Sequence, residues 1–304
     1  MIELTKEQIE LINKAVKWYK DPSSDQVFEY TGAAGTGKSL VMHEIIKRLG
    51  LKSNEVVPMA YTGAAALVMR RNGFKNARTI HSTIYKFDYD RTTGLYNFKF
   101  VGYPQNTKLI CIDEASMVGT DLKHDIENTN IKILVCGDLK YQLPPINSEP
   151  AYLVGNNVNE LTIIMRQARD SAIVQLANSI KNGNIIKEGT YNKGEVIVIT
   201  KKEFDKNLYN IVRDYGLIIC GWNKTRDKLN NDIRHNVYGY KSPLPLKNER
   251  LICRKNNWFV DVDGINLVNG LCGICNKTID ISSFEKTYFT LDFKADFLDN
   301  SFSL

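Results

Sequence analysis

Apolar and polar positions alternate in blocks along the first two hundred residues. Between Thr5 and Lys20 the apolar residues Ile9, Ile12, Val16 and Tyr19 recur at helical spacing, and Thr5 and Gln8 have the spacing of a capping box. This segment predicts an amphipathic helix. Strand-like and helix-like runs then follow one another. Residues 27–30 and Val56–Ala60 read as strands; Lys38–Leu49, closed by Gly50, and residues 64–71, ended by Gly73, read as helices. Residues 109–112 and 131–136 are nearly continuous apolar runs, the pattern of parallel strands buried on both faces. Residues 171–181 predict another helix and 195–200 another strand. The alternation predicts an α/β fold with a doubly wound parallel sheet.

Two segments depart from it. Residues 84–104 carry Phe87, Tyr89, Tyr96, Phe98 and Phe100 around a turn-like stretch at 90–94, which predicts a β-hairpin inserted into the α/β domain. After about Asp214 a strand is expected at 217–220, a helix at 224–237, and short β-like pieces beyond Pro243 and Pro245. The expected division is therefore residues 1–214 and 215–304.

Composition adds little to this picture but excludes some alternatives. The 304 residues are 43% hydrophobic and 24% charged without a low-complexity tract, which excludes wholesale disorder. Lysine and arginine exceed aspartate and glutamate, 40 to 34, for a formal net charge of +6. That permits an anionic partner without requiring one. No apolar run has a membrane-spanning length and the first twenty residues lack an apolar signal core, so an intracellular, reducing location without membrane association is expected. Cys111, Cys136 and Cys220 fall in apolar runs, as reduced cysteines do. Cys272 and Cys275, with Cys253 as the one nearby third ligand, are too few for a structural zinc site.

The chemistry is concentrated in three places. Gly32-Ala33-Ala34-Gly35-Thr36-Gly37-Lys38-Ser39 matches the phosphate-loop pattern in full and lies between a strand and a helix. Its backbone N–H groups and helix N-terminus suit phosphate oxygens. Lys38 is expected to reach the β- and γ-phosphates of ATP and Ser39 to hold Mg²⁺. Residues 109–114 form an apolar strand ending in Asp113 and Glu114. At the carboxyl end of a parallel strand, Asp113 is placed to hold Mg²⁺ and Glu114 to deprotonate the attacking water. The run 131–136 leads to Gly137, Asp138 and Gln142. Gln142 there is either a γ-phosphate sensor or part of a turn rich in glycine, aspartate and proline.

Together these segments resemble the superfamily 1 DNA helicases of the RecD/Dda type, which move 5′ to 3′ on single-stranded DNA. The resemblance runs from about Leu4 to Gly273. Leu4 to Gln8 resembles the adenine-reading segment, a role for Gln8 compatible with capping. Gly32 to Ser39 and Ile112-Asp113-Glu114-Ala115-Ser116-Met117 match motifs I and II, and Gly137-Asp138 with Gln142-Leu143-Pro144-Pro145 matches motif III. Met165-Arg166-Gln167 resembles motif IV, whose arginine approaches the γ-phosphate. Tyr61-Thr62-Gly63-Ala64 resembles motif Ia, with Ala64 where many relatives carry a basic residue, and Ala77-Arg78-Thr79-Ile80-His81-Ser82 resembles motif Ib. The resemblance thus implies DNA contacts at Thr62, Gly63, Thr79 and His81, and at Phe98 in the hairpin, which stands where the family inserts its duplex-splitting pin. Residues 218–227 resemble the opening of the second motor domain and add Asn223 and Thr225; residues 249–257 and 269–273 resemble strands leading into an SH3-like insertion.

The implied fold is a RecA-like phosphate-loop NTPase with an inserted hairpin, followed by a partial second RecA-like domain with a β-rich insertion. The implied activity is ATP-dependent helicase action on single strands and duplex junctions in DNA replication, repair or recombination. Motifs V and VI, which include an arginine for the transferring phosphate, are not found after Asn257. Two readings follow: a motor, complete in itself or completed by a separate chain or other replication and repair proteins, and a non-motor ATP- and DNA-binding module without efficient hydrolysis. A small-molecule kinase has no need of the segments at 77–82 and 137–145.

Overall fold

The computed structural model describes residues 4–304 except 34, 90–95, 139–144, 146–147, 155–157, 164–170, 215–216, 256, 263–264, 281–288, 297 and 299. Ala34, Gln142 and Arg166 therefore lie outside the described residues, as does the expected hairpin turn. The described chain forms two compact units, one of residues 1–166 and 247–304, the other of residues 167–246. The second of these cuts, at 246/247, follows from the packing of the last sixty residues.

In the first unit, helix α1 (Lys6–Lys20) opens with the expected capping box between Thr5 and Gln8. Its buried stripe is Gln8, Leu11, Ile12, Ala15 and Trp18. Ile9 is 39% exposed, and Val16 and Tyr19 are half-buried, so the inward face is turned from the one expected. Leu11, Ile12, Ala15 and Trp18 make that face, and Gln8 joins it through a hydrogen bond to the phosphate loop. Then come β1 (Val27–Gly32), α2 (Lys38–Leu49), β2 (Val56–Ala60), α3 (Gly63–Arg71), β3 (Arg78–Thr79) and the short α4 (Ile80–Ile84). The hairpin is β4 (Tyr85–Tyr89) with β5 (Tyr96–Phe100), paired antiparallel from Tyr85↔Phe100 to Tyr89↔Tyr96. After it follow β6 (Leu109–Asp113), α5 (Thr120–Glu127), β7 (Lys132–Gly137) and β8 (Asn159–Leu161).

The six-stranded sheet has the order β3-β2-β6-β7-β1-β8, and every pair is parallel. Two apolar clusters cover its faces. Val56, Ala60, Leu109, Cys111 and Leu134 join α1 and α2 in one; Val57, Met59, Ile110, Ile112, Ile133 and Val135 join Ile80 and Ile126 in the other. Burial on both faces is why β2, β6 and β7 read as unbroken apolar runs. β8, with Asn159 and Glu160, carries no such signal and is found only through its pairing with β1.

The second unit contains α6 (Ala172–Lys181), β9 (Gly189–Tyr191), β10 (Val196–Val198), α7 (Lys201–Lys206), α8 (Leu208–Asp214) and α9 (Asn223–Asp232), which continues as a π-helical turn, Ile233–Val237. Two expectations are corrected here. The strand expected at 195–200 is β10, which pairs antiparallel with β9 rather than joining the parallel sheet. The connection between them is too short for the crossover that parallel pairing needs. Residues 217–220 are not a strand. No described strand pairs with them, and Leu217 and Ile219 are exposed.

Beyond residue 246 the chain returns to the first unit. β11 (Arg250–Ile252), β14 (Cys272–Asp280), β15 (Phe289–Ala295) and β16 (Phe302–Ser303) make a four-stranded antiparallel sheet, and β12 (Asn257–Val262) pairs with β13 (Ile265–Leu267). Leu267, Val268, Leu271, Phe293 and Phe302 share a buried cluster with Leu67 of α3, so this segment packs on the parallel-sheet domain. The six cysteines are free thiols. Cys272 and Cys275, three apart on β14, point to opposite faces of the strand.

Candidate functional site

The strand order brings the carboxyl ends of β1, β7 and β6 side by side. Thr31 Oγ1 donates to Gly137 O at 3.1 Å, tying the first two ends together. The phosphate loop leaves β1 at Gly32 and enters α2 through Gly37, with Gly35 and Gly37 at φ of 88° and 84°. Only glycine takes such values without strain. A Cβ on Gly32 would lie 2.5 Å from Thr36 Oγ1 and 2.9 Å from Leu161 O. Thr36 is buried, its hydroxyl donating to Ala33 O at 2.9 Å. Lys38 Nζ lies over the loop, donating to Gly32 O at 2.8 Å and Ala33 O at 3.3 Å.

Gln8 serves this loop as well as its own helix. Its Oε1 accepts from Thr5 N at 3.0 Å while its Nε2 donates to Thr36 O at 3.0 Å. It is 1% exposed. The capping role is thus realised, together with a strut to the phosphate loop that the sequence reading did not foresee.

Ser39 Oγ donates to Asp113 Oδ2 at 3.4 Å, and Asp113 Oδ1 accepts from Glu114 N at 2.9 Å and from Cys136 Sγ at 3.2 Å. Ser39 and Asp113 therefore present adjacent hard oxygens, the donor type that Mg²⁺ prefers. Glu114 sits at φ 58°, ψ 37°, a left-handed conformation costly for a residue with a side chain. Gly137 makes room for that turn: a Cβ there would lie 2.9 Å from Ala115 N. Burial first, and then the charges of Asp113 and Asp138, push the Glu114 carboxyl above its ordinary range, with the Lys38 ammonium opposing. A raised carboxyl suits a proton acceptor working near neutral pH.

The segments expected to contact DNA converge elsewhere in the first unit. Thr62, Gly63, Thr79, His81 and Phe98 line one cavity of about 640 Å³, together with Tyr61, Tyr85, Asp125, Val268 and Asn269. His81 meets three of the lining rings. Its ring lies 6.2 Å from Tyr61, 5.8 Å from Tyr85 and 6.2 Å from Phe98, centroid to centroid. Burial pushes its pKa below the ordinary value, so the imidazole is neutral near pH 7. Thr62 and Thr79 also have local work. Thr62 Oγ1 caps α3 by accepting from Ala65 N at 3.2 Å, and Thr79 Oγ1 caps α4 by accepting from Ser82 N at 3.2 Å.

Gly63 is explained by packing. A Cβ on it would fall 1.8 Å from Val268 Cγ2, so the glycine admits the C-terminal segment. The sequence reading missed Tyr61, Tyr85, Asp125, Val268 and Asn269 as lining. The aromatics of the hairpin were the one available signal; nothing in the chain marks Asp125 or Val268. Asn223 and Thr225 lie in the first turn of α9 in the other unit, where Asn223 Oδ1 accepts from Arg226 Nη1 at 2.7 Å.

A family model described as an AAA domain matches residues 3–201. The chain belongs to this family. Its relatives lie in the superfamily 1, Pif1-like branch. The ATP-dependent DNA helicase PIF1 of Saccharomyces cerevisiae is 29% identical over 238 residues, covering 67% of this chain and 24% of the relative. The ATP-dependent DNA helicase RRM3 of the same species is 28% identical over 219 residues, covering 60% of this chain and 28% of the relative. The chain thus spans about a quarter of the length of these relatives. Among solved structures, Bacteroides Pif1 bound to single-stranded DNA is similar over 100% of this chain and 74% of that one, with a TM-score of 0.57 at 18% identity. That likeness supports the fold, a RecA-like phosphate-loop NTPase with a separate antiparallel sheet. Among the described residues no helix is long and apolar enough to cross a membrane.

Proposed function

We propose that this chain is the nucleotide-binding portion of an ATP-dependent DNA helicase that moves 5′ to 3′ on single-stranded DNA. The observation that carries the reading is the convergence of Lys38, Ser39 and Asp113 at one phosphate loop, with Glu114 held in a left-handed turn beside them. The loop N–H groups and Lys38 bind the phosphates of ATP. Glu114 takes the proton from the attacking water, its raised pKa making it a stronger base than an ordinary carboxylate. Ser39 and Asp113 would hold Mg²⁺, which supplies charge neutralisation for the phosphate oxygens. Gln142 and Arg166 are assigned to the γ-phosphate by their motifs alone.

Single-stranded DNA is read as meeting the cavity around His81, where the neutral ring and its aromatic neighbours offer stacking surfaces for bases. Phe98, 49% exposed, is the pin residue facing a duplex junction. Asn223 and Thr225 add contacts from residues 215–304, read as a partial second motor domain leading into a β-rich, SH3-like insertion. Replication, repair and recombination intermediates supply such junctions.

The test is steady-state ATP hydrolysis by this chain with and without single-stranded DNA, with Lys38→Ala as the blank. Stimulation by DNA, lost by about a hundredfold or more in the variant, is expected. Tight binding of ATP and DNA without turnover would favour the non-motor module instead. Turnover unchanged in Lys38→Ala would remove the site assignment.

A further inference from the structure

Both roots of the inserted hairpin end on the same helix. Tyr85, the first residue of β4, donates its hydroxyl hydrogen to the carboxylate of Asp125. Tyr103, just beyond β5, donates to Ile126 O at 2.8 Å. Asp125 and Ile126 are neighbours near the C-terminal end of α5. Val101 N closes the base of the ribbon by donating to Ile84 O at 2.8 Å.

A two-stranded ribbon has little stability of its own in water, and its direction is decided where it is rooted. The Tyr85, Phe100 and Tyr103 rings pack on the cluster that contains Ile84, Val118 and Ile126. The hydrophobic driving force is non-directional, whereas a hydrogen bond weakens steeply away from its preferred angle, so the two hydroxyl bonds add a directional constraint to the packing. Burial, reinforced at Tyr85 by the Asp125 carboxylate, pushes both tyrosine hydroxyls up, so both remain donors. Asp125 also needs a reason to be where it is. An acid lining a cavity that meets DNA repels phosphate, and its bond to Tyr85 supplies a role that DNA contact does not.

We propose that α5 is the seat of the hairpin and that Asp125 and Tyr103 are positioning residues: the two hydroxyl bonds hold the hairpin's aromatic face at the cavity and make the hairpin follow the β6–α5 segment that bears Asp113 and Glu114. The consequence for DNA rests on the helicase reading; the seat itself does not.

The experiment measures amide hydrogen exchange in β4 and β5 of the full chain for Tyr85→Phe, Asp125→Ala, their double variant and Tyr103→Phe. Each single change is expected to speed exchange in the hairpin on the order of tenfold, with β6 and β7 unchanged. The double variant should match the single ones, because both remove one shared bond. Unchanged hairpin exchange, or effects that multiply in the double variant, would overturn the seat. The second readout is the ratio of affinities for a duplex junction and for a plain single strand. Tyr103→Phe, which lies outside the cavity lining, should lower that ratio several-fold while ATP turnover at saturating single strand stays at the parent level. An identical ratio in parent and variant overturns the positioning role. A parent chain without DNA-stimulated turnover defeats the helicase reading, and the exchange cycle still decides the seat.

Discussion

The phosphate site and the cavity around His81 belong to the same compact unit but are assembled in opposite ways. The phosphate site is one continuous loop, Gly32 to Ser39, completed by Asp113 and Glu114 at the end of β6, two strands across the sheet from β1. The cavity draws on the loop after β2, helix α4, both hairpin strands, α5 and the segment at 268–269. A site written on contiguous residues is sensitive to the chemistry of each one. A site assembled from remote segments is sensitive to whatever holds them in register.

The largest effect should come from the contiguous site. Glu114→Gln is expected to leave nucleotide affinity near the parent value and to slow hydrolysis by about 10²–10⁴-fold, the usual worth of a positioned base. Nucleotide titration with single-turnover phosphate release measures both. Hydrolysis at the parent rate would mean that the proton acceptor lies outside this loop-and-strand pair.

The assembled site should break at its packing before it breaks at its chemistry. Gly63→Ala drives a methyl group to within 1.8 Å of Val268 Cγ2, and overpacking of this kind costs about 1–3 kcal/mol. Denaturant unfolding should show that loss, and Val268→Ala in the same chain should restore most of it. A fully stable Gly63→Ala protein would separate the C-terminal sheet from α3. Phe98→Ala touches the chemistry instead. Losing one stacking surface is expected to weaken single-stranded DNA binding by about 1–3 kcal/mol without altering its salt dependence, because no phosphate contact is removed. A changed salt slope would shift the cavity from bases to the backbone.

The smallest effect is a displaced pH limb. The Glu114 carboxyl is held above its ordinary value of 4.5 by burial and by two neighbouring carboxylates. A raised carboxyl stays protonated to higher pH, and a protonated Glu114 accepts nothing. ATP turnover should therefore fall away on the acid side at a pH above 4.5. A pH–rate profile flat down to ordinary carboxylate values would show that Glu114 is solvated during turnover.

Much of this was legible along the chain. α1 with its Thr5–Gln8 box, α2 with Gly50, β2, β6 and β7 carry periodicities and end signals that local sterics impose on residues close in sequence. β8 was not legible, since Asn159 and Glu160 gain strand geometry only by pairing with β1. The inward face of α1 differs from the expected one because Leu11, Ala15 and Trp18 are buried while Ile9 is exposed, and polar Gln8 joins them through its bond to Thr36 O. Residues 217–220 look like a strand in isolation, yet strand geometry needs a ladder and no described strand offers one. The return of residues 247–304 to the first unit was not legible either, since it rests on an apolar cluster shared with Leu67, far back in the chain.

The phosphate loop, the two acids at the end of β6 and the alternation that makes a buried parallel sheet are written along the chain, because they depend on residue type at short spacing. The need for a bare Gly63 to admit Val268, the Tyr61, Tyr85 and Phe98 rings around His81, and the ties from both roots of the hairpin to α5 emerge only in the folded chain. Those are contacts between distant segments, and their energies arise only when the folded sheet brings the segments within a few ångströms of one another.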